Sequence, residues 1–375
     1  MLTCQQMHNI LKEHKLDFFA GVPDSVFKEW LKYLDNCSDF THIAASNECD
    51  AIALATGYHL SSGNIGVAYM QNSGLCNALN PLTSLTDKEV YSIPMILLIG
   101  WRGKPGEHDE PQHIKMGRIT IPILETLEIA YSIPEGNEDS MKQAWDTACI
   151  YTKEHEAPYA IVLQKGMFEK FDAPKQETTY SLTREQALEK ILQHTPPQYA
   201  FVSTTGFLSR ELYEYRDRNN QSHATDFYTV GSMGCSLSIA AGIALGNPKQ
   251  QVLALDADGA ALMHLGSWAP LGNGNYTNLR HILFDNACYE STGAQPTQSS
   301  HINFCQIALA IGYKKATQVE NMEQLQCALT QFFQQEGPCL LVVKIKQGYR
   351  KDLGRPKTKP KENKKFFMNF LQQSV

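Results

Sequence analysis

This chain of 375 residues has no long hydrophobic run; stretches such as Pro94 to Ile99 are far too short to span a bilayer. A membrane-spanning protein is therefore not expected. Its ten cysteines are scattered singly, with no CxxC pair, so neither a zinc ribbon nor a disulfide framework is indicated. The opening segment, MLTCQQMHNILKEHK, patterns as an amphipathic helix and lacks the apolar core of a signal peptide. A reduced, cytoplasmic compartment is the expectation. Charge of one sign is also scarce: the net charge of −6 argues against a nucleic-acid surface. The one basic stretch, Lys344 to Lys365, is interrupted by Asp352 and Glu362. There is no solenoid-length repeat and no low-complexity tract. No GxGxxG follows either first strand, which sets aside a nicotinamide fold. His108 and His113 are five apart with Pro111 between them, so they do not form the HExxH of a metalloprotease.

What is present is ordinary globular composition, with 43% hydrophobic and 19% charged residues. Short β-rich runs alternate with helical patterns. Strands are expected at 17–21, 42–45, 65–71, 95–100 and 160–165, with helices at 47–60, 74–86 and 140–155 between them. Residues 172–182, DAPKQETTYSL, lose hydrophobic periodicity and read as a linker. The alternation then restarts, with strands at 199–203, 251–255, 281–284 and 339–345. A last helix is expected at 362–372. The fold class that follows is α/β, with two doubly wound parallel-sheet domains spanning 1–171 and 183–375.

Three segments carry chemistry. LALDADGAALMHLGSW followed by LRHILFDNACYESTG reads as strand, acidic turn, helix from Ala260 to Trp268, strand and second polar turn. Both turns fall at carboxyl ends of parallel strands, where such sheets bind ligands. Asp258 and Asn286 offer hard oxygen donors there, and backbone N–H groups at the helix start, at Gly259 and Ala260, suit a phosphate. A magnesium diphosphate needs that combination. In IAASNECDAIALATGYHLSSG, Glu48 sits in the first turn of a helix after a strand, where acids also simply complement the helix dipole. In DFYTVGSMGCSLSIAAG, a glycine-rich turn holds Gly231, Ser232 and Met233 ahead of a small-residue helix.

In that order and spacing, the three segments resemble the thiamine diphosphate enzymes. Asp258 and Asn286 match metal ligands of the Gly-Asp-Gly…Asn-Asn motif, although Ala257 and Asp285 replace its first Gly and first Asn. The resemblance implies Mg²⁺ held by Asp258, Asn286 and the backbone carbonyl of Cys288, with the Asp285 carboxylate turned away from the diphosphate. It implies that Glu48 bonds N1′ of the cofactor's pyrimidine and starts a proton relay. It also places Met233 under the cofactor as an apolar wedge. The relatives' His after this turn is absent, since Cys235 and Ser236 follow instead.

The eleven-residue linker leaves no room for a middle domain, an architecture similar to phosphonopyruvate decarboxylases and their sister sulfopyruvate decarboxylases. FFAGVPDSVFKEWL, with Asp24 and Ser25, is typical of the former, whereas the latter tend to have Cys at the place of Asp24. GxxxxxDEPQHxxMG is common to both. Arg102 or Lys104 would bind the substrate anion, with His113 near the reacting carbons. Arg350 and Arg355, in a matching C-terminal segment, would contact a phosphonate or tie the tail to a neighbouring subunit. The resemblance therefore implies Mg²⁺- and thiamine diphosphate-dependent decarboxylation of 3-phosphonopyruvate to phosphonoacetaldehyde, in phosphonate biosynthesis of the 2-aminoethylphosphonate type. It further implies a homo-oligomer with sites between subunits. A sulfopyruvate decarboxylase and a non-catalytic cofactor-binding protein are the alternatives.

Overall fold

The structure is a computed structural model describing residues 1–174 and 178–373. The described residues form two compact units, Met1–Lys175 with Thr292–Gln295, and Gln176–Ser291 with Pro296–Val375. Residues 175–177 of the expected linker lie outside the described residues. No helix among the described residues is long and apolar enough to cross a membrane.

The first unit begins with α1 (Cys4–Glu13), started by a capping box between Thr3 and Gln6. Its strands are β1 (Phe18–Gly21), β2 (Thr41–Ala44), β3 (Gly66–Gln71), β4 (Met95–Gly100), β5 (Ala130–Ser132) and β6 (Tyr159–Leu163). They form one parallel sheet in the order β2-β1-β3-β4-β6-β5. All six residues of β4, MILLIG, are buried, as a parallel strand covered on both faces requires. Alternate residues feed opposite cores. Phe19, Tyr69, Ile96 and Leu98 pack with Trp30 and Trp145 on one face, and Ala20, Met70, Leu97 and Ile99 pack with Leu75 and Leu124 on the other. Truncating a buried leucine such as Leu98 to Ala is expected to cost about 2–5 kcal/mol. The covering helices include α2 (Lys28–Asp35), α3 (Glu48–Ser62), α4 (Leu75–Ser84), α5 (Pro111–Thr126) and α6 (Glu138–His155). Asn47 caps α3 by accepting from the Asp50 N–H at 3.0 Å, and Gly63 ends it in the left-handed conformation.

The second unit repeats the plan with α7 (Arg184–His194), β7 (Ala200–Ser203), α8 (Phe207–Arg218), β8 (Asp226–Tyr228), α9 (Ser236–Gly246) and β9 (Val252–Ala257). There follow α10 (Asp258–Met263), α11 (Ala269–Asn273), β10 (Leu279–Asp285), α12 (Phe304–Ile311), β11 (Lys315–Val319), α13 (Met322–Phe332), β12 (Cys339–Lys344) and α14 (Pro360–Gln373). The six strands are parallel in the order β11-β12-β10-β9-β7-β8. The outer edge at β8 is closed by Asn363 of α14, which donates to the Asp226 carbonyl at 2.7 Å and accepts from the Tyr228 N–H at 3.2 Å. That side chain occupies backbone groups an open edge would leave bare.

Each order reverses where the chain returns past its first strand, between β1 and β3 in the first unit and between β7 and β9 in the second, and again where the last strand inserts inside an edge strand. Crevices at such reversals, at the carboxyl ends of the strands, are where doubly wound sheets take ligands.

One expectation needs correction. The helix foreseen from Ala260 to Trp268 starts at Asp258 and breaks at His264, whose φ of −133° and ψ of 43° are not helical. A helix of six residues has little dipole to offer, so individual backbone N–H groups matter more there. The Gly- and charge-rich segment after β4 is not all loop. Pro111 sits in the first turn of α5, where its missing N–H costs nothing, and His113 is therefore helical.

Candidate active site

In the first unit, Glu48 is the first residue of α3, beyond the carboxyl end of β2, and it is buried. Asn77 of α4 donates to its Oε2 at 2.7 Å. Gly74 lies against the same carboxylate: a Cβ there would stand 2.5 Å from Glu48 Oε1 and Cγ. One carboxylate oxygen is thus anchored, and the room around the other depends on a missing side chain. Neither Gly74 nor Asn77 was identified from the sequence. The signal available was the polar and small pattern of NSGLCN, placed a helix and a strand after Glu48.

A second cluster fills the crevice between β1 and β3. Asp24 is fully buried, and its Oδ1 accepts from Gln71 Nε2 at 2.9 Å. Burial pushes its carboxyl above the usual range, against the Gln71 hydrogen bond and the charge of Arg102. Arg102 donates to Ser25 Oγ at 3.0 Å and grips Asp109 through Nε at 2.8 Å and Nη2 at 2.5 Å. Asp109 also accepts the N–H groups of Gly103 and Glu110, each at 2.8 Å. These partners hold the Asp109 carboxyl well below the ordinary range in spite of its burial. Arg102 is therefore a neutralised, oriented guanidinium and not a free charge. Its backbone is clamped by Asn72, which accepts from the Arg102 N–H at 3.2 Å and donates to its carbonyl at 2.8 Å. His113 is buried, and its carbonyl packs where a Cβ on Gly103 would otherwise be, 2.0 Å away. Asp24, Ser25, Arg102 and His113 thus share one neighbourhood. Lys104 is drawn aside to Gln164 and Glu107.

In the second unit, Asp258 opens α10 at the end of β9 and is buried. Its Oδ2 accepts from Thr297 Oγ1 at 2.6 Å, and Ser299 Oγ lies 3.2 Å away. Burial, and then the nearby charge of Asp285, push its carboxyl well above the ordinary range. Ala257 is extended, with φ −135°, so the replacement of a family glycine costs no backbone strain. Asp285 ends β10 and is held by other groups. Lys344, its partner in register on β12, donates to Oδ2 at 2.5 Å, and Ser299 donates to Oδ1 at 2.6 Å. Asn286 is buried beside it, with Oδ1 accepting from the Cys288 N–H at 3.1 Å and Nδ2 donating to Glu290 at 3.4 Å. Glu290 is in turn paired to Arg184 at 2.7 Å.

The loop after β8 runs through the left-handed region at Gly231, Ser232 and Gly234. Gly231 donates to Thr205 Oγ1 at 3.2 Å, beyond the end of β7. The Met233 methyl lies 3.5 Å from where a Cβ on Gly259 would be, so Gly259 and Met233 face each other. A histidine does reach this turn, though from another place: His264 lies 2.4 Å from a Cβ built on Gly234. Arg350 is engaged within its own unit. It pairs with Glu214, Glu185 and Asp352, tying the C-terminal segment to α7 and α8 of its own unit.

Comparison with known proteins adds to this geometry. The chain is 35% identical to a phosphonopyruvate decarboxylase of Streptomyces hygroscopicus, over 94% of this chain and 90% of that one. It is 36% identical, with the same coverage, to a phosphonopyruvate decarboxylase of Streptomyces viridochromogenes. The chain belongs to the phosphonopyruvate decarboxylase family. Residues 1–120 match the thiamine pyrophosphate enzyme N-terminal TPP binding domain, and residues 204–343 match the C-terminal TPP binding domain. A sulfopyruvate decarboxylase of Methanosarcina acetivorans is more distant, at 28% identity over 85% of each chain. Within this family, Glu48 lies in the segment matched by the first domain, and Asp258 and Asn286 lie in that matched by the second.

Proposed function

We propose that the protein decarboxylates 3-phosphonopyruvate to phosphonoacetaldehyde and CO₂, using thiamine diphosphate and Mg²⁺. The observation that carries this reading is similarity along nearly the full chain to two phosphonopyruvate decarboxylases, at higher identity than to the sulfonate enzyme. Asp24, in place of the Cys common in sulfonate enzymes, supports the same choice.

The second unit fits a metal diphosphate. Asp258 is a buried acid whose side-chain partners are hydroxyls, beside a second acid that Lys344 already pairs. A divalent cation would supply the missing countercharge, held by Asp258, Asn286 Oδ1 and the Cys288 carbonyl. Asn286 Oδ1 has one hydrogen bond and a second lone pair to give. Gly231, Ser232, Gly259 and Ala260 would line the cofactor, and Met233 would supply its apolar support. Thiamine diphosphate, when bound, supplies the nucleophilic carbon and the electron sink that a 2-oxo acid needs to lose CO₂. Glu48 would hold a proton at Oε1 while Asn77 fixes Oε2. Asp24, Ser25, Arg102 and His113 would orient the substrate's anionic end, with Asp109 setting the guanidinium plane. Because that cluster is close to neutral, it would recognise the dianion by hydrogen-bond geometry more than by net charge.

Assembly into at least a dimer belongs to the same proposal. The exposed apolar Leu60, Val90 and Tyr91 of the first unit are the kind of surface such contacts bury. The test is turnover by purified protein of 3-phosphonopyruvate against sulfopyruvate, with and without Mg²⁺. Faster turnover of sulfopyruvate would overturn the substrate assignment, and cofactor binding without CO₂ release on either would overturn the enzyme reading.

A further inference from the structure

The first unit carries a cysteine, a histidine and an acid arranged in series, none of which serves the site above. Cys37 follows α2, His8 is on α1, and Asp39 lies two residues beyond Cys37. Cys37 Sγ is 3.7 Å from His8 Nδ1, while His8 Nε2 is 3.3 Å from Asp39 Oδ2. The ring is mostly buried, stacked edge-on against Phe40 at 4.9 Å, so its orientation is set by packing. With Asp39 accepting from Nε2–H, the neutral ring presents the Nδ1 lone pair toward the thiol. That is the order a base-activated thiol needs: nucleophile, base, then the acid that fixes the base's tautomer.

The other cysteines mark the contrast. Burial pushes the thiols of Cys4, Cys149, Cys288, Cys305 and Cys339 up, which disfavours their thiolates. Cys49, Cys76 and Cys327 are exposed, but among the described residues no histidine nitrogen is bonded to them. Cys37 is partly exposed, so a small reagent can reach it. The same three side chains invite a metal reading, since their donor atoms lie within 4.8 Å of one another. Asp39, however, approaches the ring nitrogen opposite the one facing the thiol, so the three do not converge on one point.

We propose that Cys37 is a nucleophilic thiol, activated by His8 and Asp39, and a site of mixed-disulfide formation with low-molecular-weight disulfides. His8 takes the thiol proton at Nδ1, and the thiolate sulfur attacks one sulfur of the disulfide. The new Cys37 S–S bond forms as the reagent's S–S bond breaks, and the departing thiolate takes the proton back from His8. Tyr33 competes for the base: its hydroxyl is 2.9 Å from the same Nδ1 and 3.2 Å from Gln5 Oε1. Two lone pairs cannot face each other at 2.9 Å, so Nδ1 is open to Cys37 only when the Tyr33 hydroxyl swings away from the ring toward Gln5 Oε1.

The test is competitive alkylation of the folded, full-length protein with iodoacetamide near neutral pH, read site by site by peptide mass spectrometry. Cys37 is expected to react about tenfold faster than Cys76 and Cys327 despite being less exposed, because only it has a histidine nitrogen placed to take the thiol proton. Glutathione disulfide should then modify Cys37 first. His8→Gln should remove the advantage while leaving Cys76 and Cys327 at their original rates, and Tyr33→Phe should increase it. Rates that simply follow exposure in the native protein would overturn the proposal without any variant. So would a His8→Gln protein that keeps the advantage with its reference cysteines unchanged. Stoichiometric Zn²⁺ binding that protects Cys37, with Asp39→Asn abolishing it, would replace the proposal with a metal site.

Discussion

Glu48 and Asp258 are each the first residue of a helix beyond the end of a parallel strand, the edge strand β2 in one unit and the central strand β9 in the other, and their surroundings are opposite. Glu48 receives one amide N–H, from Asn77, and faces a glycine. Asp258 is closed in by Thr297 and Ser299, and it shares Ser299 with a second acid that is itself paired to Lys344. An acid that exchanges a proton needs space beside one oxygen and a fixed partner on the other. An acid that holds a cation needs surplus negative charge in a dry enclosure. A strand-to-helix turn can thus suit either purpose, and the neighbours decide which.

The largest expected effect separates the two acids directly. Glu48→Gln should lower kcat about 10²- to 10⁴-fold, the range of a lost proton-transfer group, while leaving thiamine diphosphate affinity within a few-fold. Asp258→Asn should do the reverse, abolishing Mg²⁺-dependent cofactor binding in calorimetry. If both variants lose binding equally, the division of labour is wrong. Next in size is Lys344→Met, which strands the buried Asp285 charge and should destabilise the protein by about 3–5 kcal/mol in denaturant melts. Adding Asp285→Asn to it should recover most of that loss. Gly74→Ala comes third. Its new methyl would contact the Glu48 carboxylate, so kcat should fall about 10²-fold with little change in melting temperature, as expected for a displaced catalytic group.

A smaller effect comes from pH. The Asp258 carboxyl is raised in the fold, so between its unfolded and folded values the native state binds more protons than the unfolded state. Its contribution to stability is present at low pH and is lost as pH rises through the folded value. In cofactor-free protein, lowering the pH from about 7.5 to about 5.5 should therefore raise the melting temperature relative to Asp258→Asn, and Mg²⁺ with thiamine diphosphate should flatten the difference. Asp109 runs the other way. Its lowered carboxyl contributes stability above the ordinary carboxylate range that disappears as the solution becomes strongly acidic.

The sequence was legible wherever one chain segment contained its own signal. The strands 95–100, fully buried, and 252–257, buried up to Asp256, announce themselves as apolar runs, and Glu48, Asp258 and Met233 sit in recognisable turns. Of the edge strands, β5 and β11 were not legible. Lys315–Val319 exposes most of its side chains and Ala130–Ser132 is three residues long, so neither carries an apolar pattern to read. The partners of the site residues were hidden for a different reason. Lys344 reaches Asp285 from 59 residues away, through strand register alone, and Asn77 reaches Glu48 from the next helix, α4, 29 residues on. Arg102 looked like a free cation because nothing in GWRGKPGEHDEPQH shows that Asp109 folds back onto it.

That last point leads to the smallest expected effect, which bears on whether the first unit's polar cluster touches substrate at all. Ser25→Ala removes one acceptor from Arg102 but leaves the two-pronged Asp109 contact and the Asn72 clamp in place. The guanidinium should therefore keep its charge and nearly its position, losing one hydrogen bond worth about 1 kcal/mol. If Arg102 meets the substrate's anionic end equally in the ground and transition states, KM should rise about fivefold at unchanged kcat. Asp109→Asn, which frees the guanidinium plane, should raise KM further than Ser25→Ala. An unchanged KM in both variants would mean that Asp24, Ser25 and Arg102 form only the framework of the β1–β3 crevice, and that the dianion is recognised elsewhere.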